Sequence, residues 1–556
     1  MKRTIIAVLM ALTVVFASVS VASAATSDPT TGPDNKVLTV YSIEELRTTI
    51  IGMEDAVGYT VKLAYNEQGF DLDESLDISE GITVDFDGNT IRNTSGSTYA
   101  VRLSKDGASV TNGTIIEGGI VVDCDDSNGS ITKMTLKKPL GYAINVDSAG
   151  IGDIAGNTIT GCKDHGIHVW YDGKTGDIKN NTITDCKGHG ITVYRGSHVG
   201  NITKNKLKNI GGRYYDDYGD YGITINANDG SETYAKSITY NTVENVKNAG
   251  IVVFSKKKGT SGTAGRYKGY VKGDIANNTV KYAGTVAKNV DFGKSAKVEN
   301  QGSIYVDSYA VVKGNIHHNK IYNSYVDGIN VIMGSKVKSI YNNTISKAGY
   351  GGISVKTESV VSGDIKNNTV KAARYQGIFV NSSSKVKGKI AKNKIVSSKQ
   401  NGIFVCKKAL ANNVTGNTIT NAKLYGVITS EGGKINTLKG NTISTTDAKN
   451  GISIIANTKT YIGKITGNKI SGKYSCGIRV KSPTKKMYVT SNVLKCGNPK
   501  GKRSSGVSVE FARKGIVIKK NKITGNGTGI GIFTKSSKAS VSGNKLVKTG
   551  GKIGRA

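Results

Sequence analysis

Apolar residues recur along this chain as singles or short alternations separated by Gly, Asn and Thr. In Ile151–Val169, IGDIAGNTITGCKDHGIHV, the marks are Ile154, Asn157 and Ile159, then Gly166, Ile167 and Val169. The pattern Ile-x-x-Asn-x-Ile followed by Gly-Ile-x-Val returns along most of the chain. Its Asn is read at Asn89 and Asn112, with Met134 taking the third slot. It continues at Asn157, Asn181, Asn205, Asn241, Asn278, Asn319, Asn343, Asn368, Asn393, Asn417, Asn441, Asn468, Asn492, Asn521 and Asn544, mostly at intervals of 22 to 25 residues. A fixed period of this size marks a solenoid, in which each repeat stacks on the last. No stretch within a repeat is long enough for a helix, and the alternation turns one face of each short strand inward. The spacing predicts three short strands per repeat. The fold class is all-β, a single-domain parallel β-helix of about 18 coils. At ~4.8 Å per coil it makes a rod of roughly 85 Å. An inward Asn at one place in every coil predicts a ladder of amides bonded to backbone and to each other.

The chain before the first repeat reads differently. Lys2 and Arg3, the apolar Ile5–Phe16 and Ala22-Ser23-Ala24 predict a secretory signal over 1–24. Residues 25–35, ATSDPTTGPDN, predict a flexible leader. Over 36–60, the strand Lys36–Tyr41 precedes a capping box with Ser42 as N-cap and Glu45 reaching back. The helix predicted from Ile43 to about Glu54 would cover the open end of the first coil. Val61–Ala64 and Ile82–Phe86 begin the strands, so 61–546 is the β-helix and 547–556 a basic tail. No segment beyond the signal could span a bilayer.

Two stretches carry a family resemblance. VLTVYSIEELRTTI with YTVKLAYNEQGFDLDESLDISEGITVDFDGNTI resembles the N-terminal capping region of pectate-lyase-like right-handed β-helix proteins. The units GDIKNNTI and GHGITVY resemble the parallel β-helix repeats of that superfamily, over roughly Lys36 to Leu546. The resemblance implies a right-handed coil with an N-terminal helical cap. It includes pectate lyases, polygalacturonases, alginate epimerases and lyases, and non-enzymatic surface proteins. The Asp-Pro-His-Glu motif of the epimerases is absent, and no clear match to the paired Asp of polygalacturonases is present. The resemblance therefore assigns no catalytic residue.

Charge changes the picture more than composition does. Residues 41–90 hold 12 acidic and 2 basic residues, whereas 381–556 hold 35 Lys and Arg against Glu431, Asp447 and Glu510. That last third carries +32 of the formal +35, a one-sign field that attracts a polyanion. For an exported protein this points to acidic polysaccharide or anionic cell wall rather than nucleic acid; a merely solvated surface is the alternative. The six Cys are too few for a disulfide scaffold. Cys162 and Cys186 each lie five residues after their Asn. They should stack on adjacent coils, either as a disulfide or as two small buried thiols. The rest show no metal-ligand spacing.

Three long intervals, 205 to 241, 241 to 278 and 278 to 319, place extra residues at Lys208–Tyr221, Ser255–Lys272 and Lys281–Gln301. All flank the Gly-Ile-x-Val strand, as the walls of a groove across the middle coils would. In that strand x should point outward. Asn145, His168, Thr192, Thr224, Val252, Tyr305, Asn330, Ser354, Phe379 and Phe404 hold that position. Four of the six His and the single Trp fall between 165 and 198, beside the insertions. For an acidic sugar polymer, Trp170, Tyr171 and Tyr194 offer flat apolar platforms, Asn145 and Asn330 offer hydrogen bonds, and Arg195 a carboxylate clamp. His168, Tyr305 and Asp164 are candidates for proton transfer. A solvated His168, a stacked His165 and His189, and a Trp170 that merely anchors its loop are the bland alternatives. Asp123, Asp147 and Asp172, on neighbouring coils, are weak candidates for calcium.

These observations predict a secreted, monomeric, carbohydrate-active β-helix acting on a uronate polymer, most plausibly as a polysaccharide lyase. A non-catalytic surface protein that binds the same polymer is the alternative. A glycoside hydrolase, which needs two facing carboxylates, comes third.

Overall fold

The structure, a computed structural model, describes residues 36–555 apart from 54–55, 126–127, 213–219, 228, 230, 256–268, 286–300, 446–451, 474–475, 484, 498–504, 512–514, 526–529, 536–537 and 550. The signal sequence predicted over 1–24 and the leader predicted over 25–35 lie outside the described residues.

Each coil is built as the sequence period predicts. Ile154–Ala155 leads into Thr158–Thr160, then Ile167–Trp170, then Lys174–Thr175 and Ile178–Lys179 of the next coil. Corresponding strands pair in parallel, so three ladders run along the rod. Two have 19 strands, and the third has 26 because its strand often breaks in two. Register is exact in type as well as place: Ile159 lies against Ile183, Ile167 against Ile191 and Ile154 against Ile178. These side chains are fully buried, in one core that runs unbroken from Val40 to Ile532. Burying each contributes about 1.5–3 kcal/mol. The Gly that opens each Gly-Ile-x-Val mark is required by close approach. A Cβ on Gly166 would stand 2.6 Å from the Gly190 carbonyl and 2.7 Å from the Ile183 side chain.

The amide ladder is present. From Asn157 to Asn521 each Asn gives its backbone N–H and its Nδ2 to the Oδ1 of the next, and Asn544 accepts at the end of the ladder. Asn157 and Asn181 do so at 2.9 and 3.0 Å, while Asn157 Nδ2 also donates to the Ile131 carbonyl at 2.9 Å. One early rung is corrected. Thr90, Thr114 and Thr135 are in register, so the slot before Thr114 is Gly113, not Asn112. A Cβ on Gly113 would lie 2.5 Å from Phe86, whose ring fills the place of the amide. Asn112 instead holds the left-handed bend one residue earlier (φ 58). Asn180, Asn342 and Asn367 do the same at φ 57, 55 and 56, a conformation that Asn tolerates better than most residues.

Ser42 caps helix Ile43–Ile51, accepting from Glu45 N at 3.0 Å, and the helix ends at Gly52. Glu45 Oε2 accepts from Tyr41 N at 2.8 Å rather than from the cap residue itself. Leu46 and Ile50 are buried in the core. At the other end, the predicted basic tail over 547–556 contains a strand, Gly551–Arg555, with Ile553 against Ile532. The three insertions leave the ladder intact: Ile191, Ile223, Ile251, Ile304 and Ile329 follow one another in register. The central parts of the insertions, and with them the predicted groove walls, lie outside the described residues.

Candidate functional site

On Ile167–Trp170 and its neighbours, two side chains per strand turn away from the core. In register they form columns along the rod. One column holds Asn145, His168, Thr192, Thr224, Val252, Tyr305, Asn330, Ser354, Phe379 and Phe404. Two residues on come Asp147 and Trp170, then Tyr194 and Asn226, then Phe254 and Asp307. The turns before these strands carry Tyr142, His165, His189 and Tyr221.

The direction matches the prediction and the exposure does not. His168 is only 4% exposed, Asn145 5%, Tyr305 7% and Asn330 0%. Rings from the turn before the strand and from its end close over the x column. Tyr142 lies 4.5 Å from the His168 ring, His165 5.1 Å and Trp170 5.4 Å. His165 and His189 stack at 4.5 Å and Tyr221 continues the stack at 5.4 Å. All three imidazoles are held neutral. Burial pushes His168 down to about 3 and His189 to about 4, and burial with the neighbouring His189 and His168 carries His165 well below the ordinary range. Backbone N–H groups of His189 and Tyr221 donate to Nδ1 of His165 (2.7 Å) and His189 (3.0 Å). The contact of His165 Nδ1 with Asp164 Oδ1, 3.2 Å, is therefore not an ion pair. His168 Nδ1 meets Asn145 Oδ1 at 2.9 Å, which makes Nδ1 the donor. So weak an imidazole is a poor proton acceptor, and the expected outward, solvent-facing His168 is corrected to a covered one.

At the end of the same strands lies a half-buried cationic and aromatic patch, in which Tyr171 is exposed. The Arg195 guanidinium carbon lies 4.9 Å from the Tyr171 ring centroid, 5.2 Å from Tyr194 and 5.5 Å from Trp170. Its Nη1 donates to the Tyr171 hydroxyl. Arg195 and Tyr171 take left-handed backbone at φ 46 and 44, which turns both side chains off the strand ends. Tyr171 is 44% exposed. The Trp170 indole N–H and Arg195 Nε have no hydrogen-bond partner among the described residues. The predicted members Trp170, Tyr171, Tyr194 and Arg195 are thus brought together.

Farther along, a second cluster was only half visible. Tyr305 donates to Asp307 Oδ2 at 2.7 Å, and burial raises both groups. Tyr305 is therefore a covered phenol rather than an accessible acid. Asn330, fully buried one coil on, contacts the Gln301 carbonyl at 3.5 Å and is equally out of a ligand's reach. Asp327 accepts from Lys356 Nζ at 2.6 Å, from Ser354 at 2.8 Å and from Gly351 N at 2.7 Å. Lys356 was missed, as was Tyr142. Their signal is column arithmetic, since Lys356 stands two residues after x and Tyr142 three before it.

The calcium candidates are not assembled. Arg102 Nη2 holds Asp123, Ser148 Oγ contacts Asp147 at 3.3 Å, and Asp172 sits at the turn below Gly196. Among the described residues no three His, Cys, Asp or Glu converge as metal ligands would.

The pattern described as a right handed beta helix region matches residues 76–234, 221–419 and 411–546. The chain belongs to the right-handed β-helix family. Among solved structures, this β-helix is similar to a point mutant of the periplasmic alginate epimerase AlgG. The two are 11% identical over 88% of this chain and 84% of that one, with a TM-score of 0.24. Unmutated AlgG gives 11% over 90% and 84%, with a TM-score of 0.18. No curated protein matches this β-helix.

Proposed function

We propose that this β-helix is an exported protein that binds an acidic, uronate-containing polysaccharide at the Trp170–Tyr171–Tyr194–Arg195 patch. The observation that carries the reading is one arginine lying against three aromatic rings at an exposed turn. A ring face supplies an apolar surface for a sugar, and a guanidinium supplies a two-pronged partner for a carboxylate. The basic last third draws the same polymer from a distance. The helix at the N-terminal end covers the first coil in this reading, and nothing in it requires a metal.

Lyase chemistry is the finer form of the proposal. It needs the uronate carboxylate neutralised, which Arg195 can do, and a base for the neighbouring C–H. The low basicity of His165, His168 and His189 favours the second reading, a non-catalytic binder. One experiment addresses both. The protein is titrated with soluble uronate polymers and with neutral polymers of the same length, and ultraviolet absorbance is followed for unsaturated product. Uronate-selective binding, lost at least tenfold in Arg195→Gln and Tyr171→Asn, supports the patch; Asn suits the left-handed backbone there. Equal affinity for the variants sinks it. Rising absorbance decides for the lyase over the binder.

A further inference from the structure

We propose that Cys162 and Cys186 form a disulfide that stitches two neighbouring coils beneath the imidazole stack. Thr158–Thr160 and Thr182–Thr184 pair in register, Thr160 against Thr184, so the cysteines two residues on face one another. Lys187 N donates to the Cys162 carbonyl at 3.0 Å, which keeps the chains paired at that point. Parallel neighbours stand about 4.8 Å apart, within the 4.4–6.8 Å range of Cα separations that a disulfide spans. The two Sγ atoms are 2.7 Å apart and both residues are at most 1% exposed. An approach of under about 1 Å completes a bond of about 2.05 Å. Other described cysteines are engaged elsewhere: Cys406 with Asn381 Oδ1 and Cys476 with the Ile478 carbonyl, each at 3.2 Å.

The reaction is thiol–disulfide exchange. One cysteine thiolate attacks a small-molecule or protein disulfide and expels a thiolate. The second cysteine then displaces the remaining thiol from the mixed disulfide. The two cysteines lose two electrons and two protons, and the oxidant is reduced to two thiols. The contact with Cys186 and then burial raise the Cys162 thiol far above its ordinary range. The finished coil is therefore a poor nucleophile, and the bond forms while that coil is still open. It closes a loop of one whole coil, 24 residues in separation, and that coil carries His165, His168, Trp170 and Tyr171. The inference stands apart from the polysaccharide reading, since oxidant can be supplied in vitro.

The mature chain is folded with oxidised and reduced glutathione, denatured, alkylated without reductant, digested and weighed. The expected result is a peptide pair joined through Cys162 and Cys186, two hydrogens lighter than its parts, with the other cysteines alkylated. Reduction should also lower the thermal midpoint of the native protein and leave the Cys162→Ala/Cys186→Ala protein unchanged. Separate alkylation of both residues after oxidative folding overturns the proposal, and so does a linkage to any other cysteine.

Discussion

Asp327 and Lys356 show how much can hang on one pair of atoms. The carboxylate is fully buried and the ammonium nearly so, and both remain tolerable because each answers the other. Lys356→Met leaves an unanswered charge in the interior, a loss of about 3–5 kcal/mol. The pair Asp327→Asn with Lys356→Met keeps an acceptor for Gly351 and Ser354 and should recover most of it; denaturant midpoints of the three proteins check this. Asn343→Ala should cost roughly 1–3 kcal/mol, since Asn343 Nδ2 serves Ile316 O and Asn368 Oδ1 and its own oxygen serves Asn319. An unshifted thermal midpoint would contradict the ladder. The Asn residues were legible because they repeat at one place in the period. Asn112 misled because Asn also suits the bend just before the slot, where conformation rather than hydrogen bonding selects it. Lys356 was invisible for another reason: its partner lies 29 residues away, and only exact register shows that they meet.

At the scale of the element, the strand Ile167–Trp170 and its turn form a pH-sensitive unit. Above pH 6.5 the imidazoles are neutral in both the folded and the unfolded chain and contribute no pH dependence. Below 6.5 the unfolded chain takes up protons that the buried His168 and His189 refuse until about pH 3 and about pH 4, and His165, pushed well below its ordinary range by burial, acts in the same direction. Stability should therefore fall as pH drops from 6.5 towards 4, by about 1.4 kcal/mol per pH unit for each imidazole. Asp307 and Asp327, whose carboxyls are raised by burial, act in the opposite sense, so the comparison needs a variant. In His189→Gln the slope of midpoint against pH should shrink by about one proton's worth. The outward direction of this strand could be read from alternation alone. Its covering could not, because burial there depends on turn residues that reach back over the strand.

For the whole molecule the governing quantity is charge. Among the described residues after 381, Glu510 is an acid that holds an ion pair, with Arg479 at 2.7 Å, and three acids in that third are too few to neutralise its 35 Lys and Arg. Attraction of a polyanion to that surface is long-ranged and screened by salt, with a Debye length of about 8 Å at physiological ionic strength. Sedimentation with insoluble uronate polymer should fall steeply across a salt series, and a chain ending near Asn381 should lose most of the salt-sensitive part. Salt-independent binding would return the charge to simple solvation. The amide ladder has one more consequence, for length. Each Asn occupies a fixed site on a lattice whose unit is a complete turn of chain, 24 or 25 residues across most rungs. The lattice admits whole units and rejects fractions, while turns between rungs can take 36 to 41 residues without disturbing it. Duplicating residues 319–342 should give a longer, equally cooperative rod, whereas deleting half that segment should dislocate everything beyond it. The molecule can thus be lengthened only in steps, like a ruler that gains marks but never partial divisions.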